Sequence, residues 1–309
     1  LNNGAVIETG ARVRRVTTNS SGIATGADYV DAKGVERHQP ARSVVMAANG
    51  IGTARLLLLS KSDSHPDGLA NSSGLVGKNL MFHPFAMITG VFPEKMKTWQ
   101  GPLSNFAMSQ EFYETDESRG FVRGYTYQFQ RSLGPGWVAN GGFTNAIPWG
   151  DSHHEELEKR LGSMMAIAVI GDDLPELHNS VELDPDLTDS DGVPAPRINY
   201  TLSQNSRDLL DHGIKNATKV FETAGATDIY VDPLMRQSGW HLMGTARMGE
   251  DSSNSVVDKW GQAHDVDNLF IIDGSVFVTG AAVNPTPTIQ ALALRTADYI
   301  IANRNDLRG

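Results

Sequence analysis

The sequence predicts a mixed α/β (α+β) chain with a mainly antiparallel sheet and flanking helices. Three observations carry this. Residues 121–130 alternate at strand period, with Phe121, Arg123, Tyr125, Tyr127 and Phe129 on one face and Val122, Thr126 and Gln128 on the other. Ser43–Ala48 is a short apolar run that turns through Asn49-Gly50-Ile51-Gly52 into a helix ending near Ser60. Two longer segments, 204–223 and 288–303, repeat apolar residues at helical spacing behind helix-start signals.

In chain order, Ala5–Glu8, Arg12–Thr17, Gly26–Val30 and Ser43–Ala48 read as strands, with a turn at Asp31–Gly34. Gly50 and Gly52 at the strand-to-helix turn suggest a dinucleotide fingerprint, but Arg55 stands where its third glycine belongs, so a nicotinamide-dependent dehydrogenase is a weak reading. Lys61–Gly77 is a polar surface loop, and His83, just before Pro84, reads as a turn residue rather than a catalytic one. Phe85–Phe92 is a strand. Neither face of 121–130 is cleanly apolar, as expected for a sheet with one side lining a cavity. Trp99–Ser118 shows no steady period.

His153-His154-Glu155-Glu156 lacks the spacing that puts two imidazoles on one helical face; the acidic pair suits a solvated helix start, and no metal site is read anywhere. Met164–Ile170, Ser180–Leu183 and Arg197–Tyr200 read as strands. Between the last two, Asp184–Gly192 is an acidic turn, because a calcium loop would need glycine and glutamate where Asp189 and Ala195 stand. Ser203 caps a helix over Gln204–Thr223 whose core stripe is Leu209, Leu210, Ile214, Ala217, Val220 and Phe221, with Gly225 ending it. Asp228–Val231 returns as a strand, and Val256–Asp258 reads as the partner of Leu269–Ile272. Thr286 and Pro287 open the last helix, from about Thr288 to Asn303.

Composition narrows the function. At 309 residues the chain is long enough for about two domains, and its net charge of -10 argues against a nucleic-acid partner. The longest apolar runs, Arg55–Ser60 and Met164–Ile170, fall far short of the ~18 residues of a membrane span. The absence of cysteine excludes disulfides, thiolate metal sites and cysteine nucleophiles. Sequons at Asn19, Asn71, Asn199 and Asn216 are read as chance matches. Leu1-Asn2-Asn3-Gly4 carries neither an initiator methionine nor a signal pattern, so the chain reads as truncated or processed, and no compartment is assigned.

The chemistry concentrates in the last quarter. Oxidising an alcohol by hydride transfer requires a group that takes the hydroxyl proton, and neutral histidine is the side chain best matched to that near pH 7. His241 is such a group, and Asn284 offers an amide donor for the same oxygen. The free N–H groups of the helix beginning beside Asn284 and Pro285 favour an anion or an electron-rich ring.

The run Trp240-His241-Leu242-x-Gly244-Thr245-x-Arg247-Met248-Gly249, then Leu269-Phe270-Ile271-Ile272-Asp273-Gly274-Ser275, then Asn284-Pro285-Thr286-x-Thr288, resembles the C-terminal signature of the glucose-methanol-choline (GMC) flavin oxidoreductases. Asn at the second position is closest to the pyranose, gluconate and fructose oxidoreductase branch. The resemblance implies FAD as cofactor, His241 as catalytic base and Asn284 as its assistant. It also implies that Asp273 and Gly274 lie on the flavin's phosphate and ribityl side, with the backbone of Asn284, Pro285 and Thr286 at the pyrimidine ring. Residues 44–60, with Ala48, Asn49 and Thr53, resemble the family segment that returns to the flavin, and the valine matching Val13 packs near the adenine. Ala54 departs from the family's usual proline. Leu75–Pro84 is similar to the segment where the chain leaves the flavin domain.

These likenesses imply an incomplete FAD-binding, Rossmann-like domain over 1–84 and 232–309 and a substrate domain over 85–231. The family's Gly-x-Gly-x-x-Gly segment lies upstream of the matching region, so the chain alone is expected to hold FAD poorly and to expose a sheet edge. The expected partners are an alcohol, sugar or sugar-acid substrate and an external electron acceptor: a quinone, a cytochrome or oxygen. Dehydrogenase is favoured over oxidase. The competing reading is a catalytically inactive fragment of the same fold that acts at most as a binding module.

Overall fold

The computed structural model describes residues 2–100, 105–131, 134–140, 147–236 and 238–305. Its first elements are β1 (Arg12–Thr18), β2 (Ala24–Val30), β3 (Glu36–Pro40), β4 (Val44–Met46) and α1 (Asn49–Leu59). The middle of the chain forms β5 (Phe85–Val91), β6 (Asn105–Ser109), β7 (Tyr125–Arg131), α2 (Pro135–Ala139), α3 (His153–Arg160) and β8 (Met164–Gly171). Then come β9 (Ser180–Thr188), β10 (Pro194–Asn199), α4 (Gln204–Thr223), β11 (Asp228–Asp232), β12 (Leu269–Ile271) and α5 (Thr286–Ala302).

A five-stranded antiparallel sheet, β11-β5-β8-β7-β6, occupies the middle of the chain. Every residue of β5 is buried, which explains a spelling that is apolar but for Thr89. Helix α4 covers one face: Ser203 Oγ accepts from the N–H of Ser206, and Leu209, Leu210, Ala217 and Phe221 enter a core with Ile88, Tyr125, Ile167 and Val169. Burying a side chain such as Leu209 or Phe221 contributes about 1.5–3 kcal/mol. A second core joins Val16, Met46, Leu57 and Leu69 to Ala246, Val257, Leu269 and Ile271, so distant stretches of the chain share one interior. There β12 pairs with β4 in parallel, and α1 follows β4 directly.

The mixed α/β expectation and most elements are present, with differences at particular residues. Ala5–Glu8 is irregular, with Val6 87% and Ile7 69% exposed, because alternation makes a strand only where a neighbouring edge receives it. Glu36–Pro40, too polar to predict, pairs with β2 along its length. The second sheet strand begins at Tyr125 rather than Phe121, since Arg123 at φ 68° cannot continue a ladder. Val256–Asp258 does not pair with Leu269–Ile272; Val257 bridges Met248 and Ala263, while β12 lies along β4. Asp184 to Thr188 belongs to β9, so the acidic turn is confined to a tighter hairpin. Helix α5 begins at Thr286, two residues before the expected start, with Pro285 at its cap position. Part of the unassigned stretch, residues 101–104, falls outside the described residues.

Candidate active site around His241

The loop carrying His241 is clamped from three sides. Met243 N–H donates to Met81 O at 3.1 Å, and Met81 N–H returns a bond to Met243 O at 3.0 Å. Gly77 N–H donates to Thr245 O at 2.8 Å, and Thr245 Oγ1 donates to Gly50 O at 2.5 Å. Gly50 and Gly274 pack against the same spot, since a Cβ on either would lie 2.7 or 2.6 Å from Leu242 O. Gly50 at the start of α1 and Gly274 after β12 therefore admit the His241 loop. Arg55, in the third-glycine position, is engaged elsewhere, on Asp189 Oδ2 at 2.8 Å and Pro194 O at 2.8 Å.

His241 itself adopts φ 60°, a left-handed conformation uncommon outside glycine and asparagine. Its ring is half-buried, and desolvation holds its pKa below the ordinary 6.5, so the imidazole is neutral at pH 7. His241 Nε2 lies 3.4 Å from Nδ2 of Asn284, and Asn284 Oδ1 accepts from Nε2 of the buried Gln128 on β7. On the other side of the ring, Nδ1 of His241 is 2.6 Å from Nδ1 of His83. The two residues predicted to carry the chemistry are thus neighbours, joined by two that were not predicted to. His83 was read as a turn residue and Gln128 as one position of a strand face; only the mixed polarity of that face hinted at a lined cavity.

The residues implied as cofactor contacts behave differently from one another. Val13 is 45% exposed on β1. Ala48 is partly buried and donates its N–H to Thr53 Oγ1 at 3.2 Å, while Asn49, at φ 66°, accepts from Ile51 and Gly52 N–H and so holds the first turn of α1. The Thr53 and Asp273 side chains are buried and bonded to each other at 2.5 Å, and Asp273 also accepts from Ser275 N–H. They tie α1 to the turn after β12 and have little left for a ligand. Gly274 and Pro285 are buried, whereas Asn284 and Thr286 are exposed at the start of α5, whose first turn has no side-chain cap.

Behind His83 sits Asp172, 7% exposed, with the N–H groups of Gly280 and Ala281 facing its carboxylate and Arg123 Nε at 3.9 Å. Burial raises the Asp172 pKa from 3.8 to about 6, and burial with the nearby His241 lowers that of His83 from 6.5 to about 4. The two act oppositely on stability. For His83 the unfolded chain binds the extra proton, so stability is lost as pH falls from 6.5 through about 4. For Asp172 the folded chain binds it, so stability is lost as pH rises from 3.8 through about 6. Asp172→Asn is therefore expected to make the fall in Tm between pH 6 and 4 steeper than in the parent protein. Thermal melts across that range check it; parallel profiles would refute the assignment.

Among the described residues no group of three or more His, Asp or Glu is placed to hold a metal ion, and no helix is long and apolar enough to cross a membrane. Family models described as GMC oxidoreductase match residues 1–85 and 175–293. The chain is 44% identical to 2-methyl-1,2-propanediol dehydrogenase of Mycolicibacterium austroafricanum, over 98% of this chain and 56% of that protein. It is 31% identical to the fructose dehydrogenase large subunit of Gluconobacter japonicus, over 99% of this chain and 55% of the relative. The chain thus spans just over half the length of these relatives. In fold it is similar to formate oxidase of Aspergillus oryzae, with a TM-score of 0.67 at 18% identity, covering 96% of this chain and 61% of that one. Motifs, fold and relatives agree, and the chain belongs to the GMC oxidoreductase family.

Proposed function

We propose that this chain carries the substrate and proton-transfer side of an FAD-dependent oxidoreductase that acts on the CH–OH group of a small polyol, sugar or other alcohol. The observation that carries the reading is the neutral, half-buried His241 with its Nε2 beside the Asn284 amide, at the uncapped start of α5. The exposed Asn284 and Thr286, next to first-turn N–H groups that no side chain caps, fit the electron-rich edge of a flavin. When bound, the flavin supplies the hydride acceptor. His241 Nε2 takes the hydroxyl proton, and Asn284, held by Gln128, donates to the same oxygen and orients it.

The remaining implied contacts fit with one change of emphasis. Asp273, Thr53 and Gly274 would meet the cofactor through backbone rather than side chains, and Val13 has exposed side-chain surface to offer. The division into 1–84 with 232–309 and 85–231 is part of the proposal, supported by the two separate main cores. The diol and fructose dehydrogenases among the relatives favour polyol or sugar substrates, with a quinone, a cytochrome or oxygen as the electron acceptor. The test is anaerobic mixing of the flavin-loaded full-length protein with a panel of diols, sugars, sugar acids and simple alcohols. Bleaching of the flavin absorbance near ~450 nm is expected with at least one polyol or sugar. A flavin that no alcohol reduces would overturn the proposal.

A further inference from the structure

We infer that His83 is a positioning residue that fixes the tautomer of His241, leaving the Nε2 lone pair bare for the substrate proton. The inference rests on the reading of His241 as base and adds a residue to it. His83 is 3% exposed, and its Nε2 lies 3.2 Å from the carbonyl oxygen of Gly280. A carbonyl can only accept, so that nitrogen carries hydrogen. Deep burial keeps the ring neutral at pH 7, and a neutral imidazole has one N–H, so His83 Nδ1 holds a lone pair.

The 2.6 Å approach of the two Nδ1 atoms requires one donor and one acceptor. His83 is the acceptor, hence His241 carries its hydrogen on Nδ1 and none on Nε2. The far end of the chain agrees. Gln128 donates to Asn284 Oδ1, which turns the Asn284 N–H groups toward the bare Nε2 of His241 at 3.4 Å. Amides can flip and imidazoles can exchange tautomers, but the Gly280 carbonyl cannot reverse its role. It sets the direction of every hydrogen bond from His83 to Gln128.

This arrangement survives the reaction step. When the hydroxyl O–H bond breaks and an Nε2–H bond forms, the Nδ1–H to His83 bond stays in place, and the new positive charge faces a lone pair rather than a second N–H. Asp172, beyond the Gly280 and Ala281 peptide groups, Arg123 beside it, and Asp173, which accepts from Phe82 N–H, are charged groups on that side. Without His83 the imidazole of His241 is free to put its hydrogen on Nε2, where it blocks proton acceptance.

The experiment is 15N NMR on histidine-labelled, flavin-loaded full-length protein, in which two-bond couplings separate the Nδ1–H and Nε2–H tautomers. His83 and His241 are assigned by subtracting the spectra of single variants at each position. In the parent protein, His241 is expected as Nδ1–H and His83 as Nε2–H; His241 found as Nε2–H overturns the inference whatever the activity. His83→Phe keeps the ring volume without the acceptor. It should give mixed tautomers at His241 and a fall in kcat of about 10- to 100-fold, with KM little changed. His83→Asn, which can place an amide oxygen where Nδ1 stood, should restore the Nδ1–H form and most of kcat.

Should His83→Phe fail to fold, the parent spectrum and the asparagine variant decide. Normal tautomer and normal kcat in a folded His83→Phe refute the role. If instead the tautomers are as expected but His241→Asn leaves flavin reduction unchanged, the base assignment fails while the tautomer control stands.

Discussion

Replacing His241 by alanine in the flavin-loaded protein lowers kcat by an expected ~10²- to 10⁴-fold, the range lost when a positioned proton acceptor is removed. The expectation follows from the proposed role, since the imidazole is half-buried and neutral at pH 7 and its Nε2 lies beside Asn284. Only the proton-transfer contribution should vanish. The first turn of α5 and the exposed Thr286 do not depend on the His241 side chain, so flavin content should stay near that of the parent. His241→Asn is the matching control, because asparagine tolerates φ 60° and leaves the loop unstrained. Stopped-flow reduction of the flavin by substrate measures the step directly, and the residual rate should climb with pH as hydroxide takes over from the missing base. A variant that reduces its flavin at the parent rate would remove His241 from the mechanism.

Gly244→Ala is expected to cost stability rather than chemistry, by about 2–5 kcal/mol from left-handed strain and overpacking together. Gly244 has φ 92°, and a Cβ there would stand 2.1 Å from Asn79 O, with the Met81 side chain at 3.0 Å. The Asn79 carbonyl, a backbone atom, cannot yield easily. Asn79 is itself at φ 60°, with its side-chain amide donating to Pro175 O, and its neighbour Met81 is paired with Met243 on both N–H groups. The same pairing sets the separation of His83 and His241, so a displaced strand should also loosen the contact between the imidazoles. Chemical denaturation should show a lower midpoint with an unchanged slope. A variant within about 0.5 kcal/mol of the parent, the scale of an ordinary surface substitution, would contradict the close approach.

Both variants probe one loop, and its legibility in the sequence was uneven. The run from Trp240 to Gly249 and the Asn284 segment were visible because their residue types and order resemble the family signature. The helices α4 and α5 were visible because their apolar periodicity is local, and even there the α5 start was misplaced by two residues, since Pro285 serves as its cap position without a side-chain bond. Glu36–Pro40 was not visible as a strand, because ERHQP owes its extended form to the ladder with β2 and not to its own side chains. Arg55 was legible only as a departure from a glycine pattern; its engagement with Asp189 and Pro194 depends on a hairpin more than a hundred positions away.

By itself the sequence determined the mixed α/β class and the order of most elements, and it offered His241 and Asn284 as a candidate pair through motifs that resemble the family signature. The class and the elements depend on residue type and on spacing of a few positions, which local physics reads directly, whereas His241 and Asn284 stand 43 positions apart. The tertiary structure alone decided which nitrogen of His241 is bare. His83 stands 158 positions from His241, and Gln128 stands 156 from Asn284. A tautomer is set by the partner on the opposite nitrogen, and that partner is chosen by how the Met81 and Met243 segments cross, a contact that no local pattern in either segment encodes.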